Sequence, residues 1–517
     1  MRSTFYGLEI AKTGLFISQN QLDVSGHNIS NVDTKGYTRQ RLSIASLPPA
    51  IGTSLIATDI KGTSGRGVTT ICVEQIRNPF LDYQFRKENS VTSKWQTKEQ
   101  YFEYVEALFN NELDAIETST GISAIFSDFY DALYELQEQP EDKAIRLNVQ
   151  QKAIVMTDTL NNYFNDLVGQ QDTLNESVRI TVDEINSIAR EIAQLNEQIY
   201  GFELSGAKAN DLRDQRNALL DTLSGLIDIE TFEDTNGQLI VQVDGKNLVR
   251  HADYKQMATV DDIENPIEGG QKLYGVYWED SQGNPTTSTV GITGGSLKGY
   301  MDIRDGNSKT SIGIPYVIDQ LNGLCQKIAA DMNEIHEKGY TIPNGDNGES
   351  KTGIDFFHVP VDENGEKDYS KITAQNFRIS DDIMNDVYNI AASDMKVSAD
   401  GSENEQKGNG RIALEMCGLI NKKNESGNDD SIDGYYKNIL NNISVEMDHI
   451  HSTYQGQAVM VNHLEQQRRS ISDVSLDEEM TDVIRFGHAY NAASRVISAI
   501  DEELDNLINK MGLVGRA

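Results

Sequence analysis

Cysteine is scarce: Cys72, Cys325 and Cys417 are the whole supply in 517 residues. They are odd in number and far apart, which excludes a disulfide framework and a paired metal-ligand motif. Only nine prolines interrupt the chain, so long stretches are free to be helical. No apolar run reads as a membrane span, because polar residues break every one. The first thirty residues lack the basic start and continuous apolar core of a cleaved secretory signal, so Sec-type export is not expected. Positive charge is also short. Lys and Arg number 45 against 80 Asp and Glu, and 45 − 80 gives −35. That balance argues against nucleic acid and against anionic membrane surfaces as partners.

What the sequence does have is helical periodicity at both ends. Leu8, Leu15, Leu22 and Ile29 recur every seven residues, and the intervening Ala11, Ser18 and Ser25 are small. Bulky residues on one row and small ones on the other let a partner helix approach closely. Leu476, Met480, Val483, Phe486, Tyr490, Ala493, Ile497, Ile500, Leu504, Leu507 and Met511 carry the matching 3-and-4 spacing. The spacing predicts that these two ends pair as a coiled coil. Ser475 and Glu478 form a capping box that would start the last helix. From Asn28 to Gln40, Asn28, Asn31 and Asp33 favour caps and turns, and Gly36 can supply a positive φ before Tyr37.

The interior reads as a rod with insertions. Val68–Ile76 is β-branched and reads as a strand or extended arm. Helix returns near Asp82, and Pro140 closes a second helix. Leu174 to Phe202 follows an unbroken 4-3 series over 29 positions, a rod of about 43 Å. From Thr231 the texture turns to strand, with Asp244-Gly245 as a hairpin turn. Ile318 to Ile335 resumes helical spacing and stops at Gly339. Residues 341–431 are rich in Gly, Asn and Asp and read as short strands and helices on the surface. From Tyr436 the final helical stretch begins, with a break at 470–475.

The fold class expected is therefore mainly α with inserted β-rich domains: terminal helices paired as a coiled coil, an elongated helical-bundle rod, and two outward insertions. The divisions are 1–45 with 471–517 for the coiled coil, and 46–230, 296–340 and 432–470 for the rod. Residues 231–295 form a small β-rich domain and 341–431 a mixed insertion.

Enzyme motifs fail one by one. Gly294 to Gly299 has the glycine spacing of a phosphate loop, but Tyr300 follows where Lys-Ser/Thr is needed. His336-Glu337 has no second histidine four residues on. Asp362, Asn364 and Glu366 begin like a calcium loop, but Lys367 replaces the required glycine. His449 and His451 are two apart on a helix and face different ways. Asp477, Glu478 and Glu479 are acids in a first helical turn, where the dipole favours them. No catalytic, cofactor or metal residue is expected.

One family shares these features. His27-Asn28-Ile29-Ser30-Asn31, then Gly36-Tyr37-Thr38-Arg39-Gln40, resembles the signature of the bacterial flagellar axial proteins. The Tyr-Thr-Arg-Gln ending is more like the members at the junction between hook and filament. Gly65–Val68, Gln75–Arg77, Phe80–Arg86, Asp211–Arg216, Gly295–Gly299 with Ile303–Asp305, Ile314-Pro315, Asn333 with His336, and Ser475–Glu479 with Arg485-Phe486 and Asn491–Ala493 are further matches. The resemblance implies a structural subunit, not an enzyme. It would be secreted through the flagellar type III channel, with a cytoplasmic export chaperone on its C-terminal helix. Its partners would be hook protein, a second junction protein, and copies of itself in a ring. The assembly interface would use the two seams together with Asn28, Asn31, Gly36, Tyr37 and Arg39. The alternatives are a hook, rod or filament-like subunit, a coiled-coil surface adhesin, or an enzyme hidden in 341–431.

Overall fold

A computed structural model describes residues 6–47, 65–110, 121–234, 238–280, 282–343, 349–362, 365–397, 408–421 and 431–510. Asn364 and Met511 lie outside these residues, so the middle of the calcium-like spacing and the last seam position are not described. Helices dominate. They are α1 (Tyr6–Ser30), α2 (Pro79–Asn110), α3 (Ile122–Glu138), α4 (Lys143–Glu203), α5 (Asn210–Leu226), α6 (Gly295–Asp305) and α7 (Ile314–His336). The short α8 (Asp381–Asn385) and α9 (Arg411–Gly418) precede α10 (Ile432–Ser472) and α11 (Leu476–Asp505). The mainly α architecture with inserted sheets is the one the sequence leads to.

The backbone of the rod is α4. Its 61 residues span about 92 Å at 1.5 Å per residue, twice the length read from Leu174–Phe202 alone. The helix starts thirty-one residues earlier, at Lys143, where Asp142 caps the Ala144 N–H at 2.7 Å. Leu160, Phe164, Leu167 and Gln171 stay buried on the way, so the apolar stripe never leaves the core.

Two hydrophobic cores lie along α4. The first packs its N-terminal half with α3, α7 and the first half of α10, around Phe129, Leu133, Leu136 and Leu160. The second packs Val178 to Ala193 against Leu220 and Leu223 of α5 and the inserted sheets. Those sheets are antiparallel. One runs β3 (Glu230–Glu233), β4 (Leu239–Val243), β5 (Lys246–Arg250) and β6 (Asp253–Tyr254) in order. The other joins β7 (Met257–Ile263), β8 (Leu273–Glu279) and β9 (Pro285–Thr289). Asp244 (φ 51°) and Gly245 (φ 68°) make the β4–β5 turn with both central residues left-handed, which matches strand twist.

Residues 349–362, 365–397 and 408–421 do not sit on the surface as their composition implies. Phe356, Phe357, Phe377, Ile379, Ile383, Ile390 and Ile412 enter the first core with almost no exposure. Polar side chains fasten this segment. Asn333 accepts the Phe356 and Phe357 N–H groups, both at 2.9 Å, and buried Arg146 donates to the carbonyl of Ile390 at 2.6 Å. Gly, Asn and Asp make the turns, and the aromatics between them supply the burial.

The chain ends form a third body. α1 and α11 run antiparallel: a methyl placed on Gly7 would touch Ile500 at 3.4 Å, and the residues after α1 meet the start of α11. Beside α1 lies a two-stranded ribbon, β1 (Gln40–Ser46) with β2 (Val68–Gln75). β2 is the strand expected at Val68–Ile76. β1 carries no apolar alternation strong enough to announce it, and pairing with β2 decides its conformation. None of the described residues in α1, the ribbon or α11 belongs to either core.

Candidate assembly site where the terminal arm meets the rod

The segment from Ser30 to Gln40 turns back on α1 and docks on the start of α5. Asn28, 1% exposed, closes the turn. Its Nδ2 donates to the Gln40 carbonyl at 2.9 Å and its Oδ1 accepts the Gln40 N–H at 3.0 Å. The Tyr37 hydroxyl donates to the same Oδ1 at 2.8 Å and lies 3.0 Å from His27 Nδ1. Gly36 takes φ 83°, the left-handed turn that lets Tyr37 fold back. Asn31 is half-buried and bonds only its own turn, donating to the His27 carbonyl at 3.0 Å.

Docking on the rod is polar. Asp214 of α5 accepts the Thr38 N–H at 3.0 Å and its hydroxyl at 2.6 Å, with Arg77 3.7 Å away. Burial pushes the Asp214 carboxyl up to about 6, despite the lowering pull of Thr38 and Arg77. Gln40 Nε2 donates to Asp211 at 2.8 Å, and Asn210 donates to the Val73 carbonyl at 3.0 Å. These contacts give the Asp211–Arg216 motif its place: one face of the first turns of α5, read by the residues after α1.

A second ionic cluster ties the rod's own ends together. Arg77 holds Asp82 through two bonds, at 2.6 and 3.1 Å. Arg468, near the end of α10, reaches Asp82 at 2.9 Å and Asp221 of α5 at 2.6 Å. Arg86 donates to Asp221 at 2.8 Å. Burial raises Asp221, but Arg86 and Arg468 outweigh it and leave the carboxyl below its ordinary range. Buried charges of this kind persist only when each is paired.

Arg39 bonds both the end of α10 and the start of α11. Its N–H donates to the Ser472 carbonyl at 2.8 Å, and its carbonyl accepts the Ile76 N–H at 2.8 Å. Its side chain reaches Glu479 at 2.7 Å and Glu478 at 2.6 Å. Ser475 caps α11 by accepting the Glu478 N–H, so the Glu478 carboxylate is turned toward Arg39 and away from the reciprocal bond of a full capping box.

The seams are only partly covered. On α1, Ala11 and Ser18 are buried while Leu8, Leu15, Leu22 and Ile29 are half-buried, so the small row marks the close approach. On α11, Val483, Phe486, Tyr490, Ala493, Ile497, Ile500 and Leu504 are half-buried against α1. Leu476, Met480 and Leu507 are not in the seam: each is about half exposed. At the start of α11 the buried position belongs to Glu479, which Arg39 draws inward, and that turns Met480 to solvent. Glu479 and the acids of α5 were missed because nothing in local spacing pairs residues 171 to 440 apart. Phe16, Ile484 and Val496 add further exposed apolar surface on the arm.

The chain is 29% identical to "Flagellar hook-associated protein 1" of Bacillus subtilis, covering all of both chains. The chain is similar to flagellar hook-associated protein 1 along its whole length. Residues 109–357 match the profile described as "Flagellar hook-associated protein FlgK helical domain", and 465–510 match "Flagellar basal body rod FlgEFG protein C-terminal". The Escherichia coli member is 23% identical over 96% of this chain and 98% of its own. The fold is also that of a solved structure, "flagellar hook junction protein FlgK from Burkholderia pseudomallei". It aligns with a TM-score of 0.59 at 15% identity, covering 75% of this chain and all of that one. Hook-associated proteins are structural components of the flagellum, not an enzyme family. Among the described residues, no helix is long and apolar enough to cross a membrane.

Proposed function

We propose that this chain is the structural subunit that forms the junction between hook and filament. It is exported by the flagellar type III system and set as a ring of copies at the hook tip. Relatives named as flagellar hook-associated protein 1 match along the whole chain, and the arm supplies the physical counterpart. Its seam residues stay half-buried in the single chain, leaving apolar surface for neighbours to cover. Asn28, Asn31, Gly36, Tyr37 and Arg39 set the arm, and the two seams form the contact surface. Hook protein meets one side of the ring and a second hook-associated protein the other, because head-to-tail assembly needs two different surfaces. Before assembly an export chaperone covers α11.

Removal of residues 476–517 tests the reading. The expected cell builds hooks, releases filament subunit into the medium and carries no filament. Normal filaments in that strain would overturn the proposal. Purified chain that polymerises into long tubes would instead favour a hook- or filament-like subunit.

A further inference from the structure

The first turn of α11 holds a carboxylate that the chain does not satisfy. Glu479 is 1% exposed and is the one buried residue of α11 among those described. Its Oε1 accepts Arg39 Nε at 2.7 Å, while its Oε2 is buried and has no partner among the described residues. Arg39 does not close that gap, because its Nη1 is spent on Glu478 at 2.6 Å. The guanidinium fork is divided between two acids, and neither receives the pair of parallel bonds that holds a carboxylate best. A buried acceptor without a donor is costly, and more so when it is charged.

Glu479 lines a pocket of about 210 Å³ between α1, β1 and α11. Asp482, one turn on and on the same face of the helix, lines it too, and Val24, Leu42 and Phe486 give it apolar walls. Charge here does not balance. The ion pairs join Glu74, Glu478, Glu479 and Asp482 to Arg39, Arg41 and Arg485, which leaves one carboxylate charge over. Two acids among apolar walls are a poor cage for a divalent ion, which takes six or more oxygens. A basic side chain suits both features, with its head on the acids and its stem along the walls.

The arm also carries cations to spare. Lys12, Lys35, Arg66 and Arg495 are exposed, and none of them forms an ion pair among the described residues. Along their helices, Lys12 stands about 14 Å from Gln21 at the pocket and Arg495 about 24 Å from Glu479. Neither reaches the pocket of its own chain. We propose that this pocket receives a lysine or arginine side chain from the arm of a second copy, whose N–H Glu479 Oε2 accepts while Asp482 offsets its charge. The source of the donor rests on the assembly of copies proposed above; the affinity of the pocket for such a head group does not.

Two measurements test the two parts. In the single full chain, n-butylguanidinium at millimolar concentration and constant ionic strength is expected to slow amide exchange in the first turns of α11 at least threefold and saturably. The uncharged n-butylurea leaves the exchange as it was. Glu479→Gln and Asp482→Asn each lose the slowing, and Asp482→Asn keeps both bonds of Arg39, so its loss does not come from a misfolded arm. No slowing, equal slowing by the urea, or slowing that persists in both variants would overturn the pocket. For the donor, p-benzoylphenylalanine in place of Gln21, which lines the pocket, is photolysed in junctions isolated from cells. The expected product joins two copies of this chain through a peptide that carries one of the four unpaired cations. Cross-links to a different protein, or none, would overturn the second copy as the source.

Discussion

Asn28 and Gln40 bond to each other as two strand residues would, with one side-chain amide standing in for a backbone peptide. This clip converts the end of α1 into the start of β1 and so presents Thr38 and Arg39 to the rod. Asn28→Ala leaves a buried N–H and a buried carbonyl unpaired, at about 1–3 kcal/mol for each such group. The expected result is loss of hydrogen-exchange protection at the Gln40 amide, with rod amides such as those of α4 unchanged. Asn28→Asp should do nearly as much, because it keeps the acceptor and loses the donor.

Asp214 makes the docking pH-dependent. Its carboxyl titrates near 6 in the fold against an ordinary 3.8, so the folded state holds a proton that the unfolded chain gives up. Its contribution is full below pH 3.8 and is lost as pH rises through about 6. Two pK units set an upper bound of about 3 kcal/mol. Asp214→Asn removes the titration. In denaturant unfolding, the stability of the unchanged chain relative to this variant should fall between pH 4 and pH 7. A constant difference across that range would refute the assignment.

His336 works in the opposite sense. Its ring is fully buried: Nδ1 donates to the Ile354 carbonyl at 2.7 Å, and Nε2 accepts the Ala391 N–H at 2.8 Å. Burial pushes its pKa down to about 4 from 6.5, so the fold requires the neutral ring. That stability is complete above 6.5 and lost as pH falls toward 4. His336→Phe should remove this acid sensitivity and cost about 2–5 kcal/mol at neutral pH through two orphaned backbone groups. Denaturant titration at pH 5 and pH 7.5 measures both.

Ile484 is 60% exposed on α11 and supports nothing in the single chain. Ile484→Glu should change unfolding free energy by no more than about 0.5 kcal/mol. Filament formation and swimming in soft agar should nevertheless be lost, because the charge would be buried against a neighbour. Wild-type motility would remove this face from the assembly surface.

Long periodic helices were legible from sequence because burial repeats every 3 or 4 residues along α1, α4, α7 and α10. The Asp244-Gly245 hairpin was legible because few residue pairs tolerate two left-handed positions. The extent of α4 was not, since Asn161, Asn162 and Gly169 interrupt the reading without interrupting the helix. Asn161 is satisfied by donating to the Ala374 carbonyl at 2.7 Å, a partner visible only once 349–421 is folded onto the rod. Arg39 was legible as part of a motif but its partners were not, because Glu478, Glu479 and Ser472 are more than 430 residues away. Met480 was misplaced for the same reason: an ion pair, and not apolar periodicity, sets the rotation of the first turn of α11.

The 61 unbroken residues of α4 touch both cores. A load applied to the inserted sheets therefore passes into the same backbone that carries the first core. Stiffness along this shaft belongs to one helix, and a break introduced midway would uncouple the two halves.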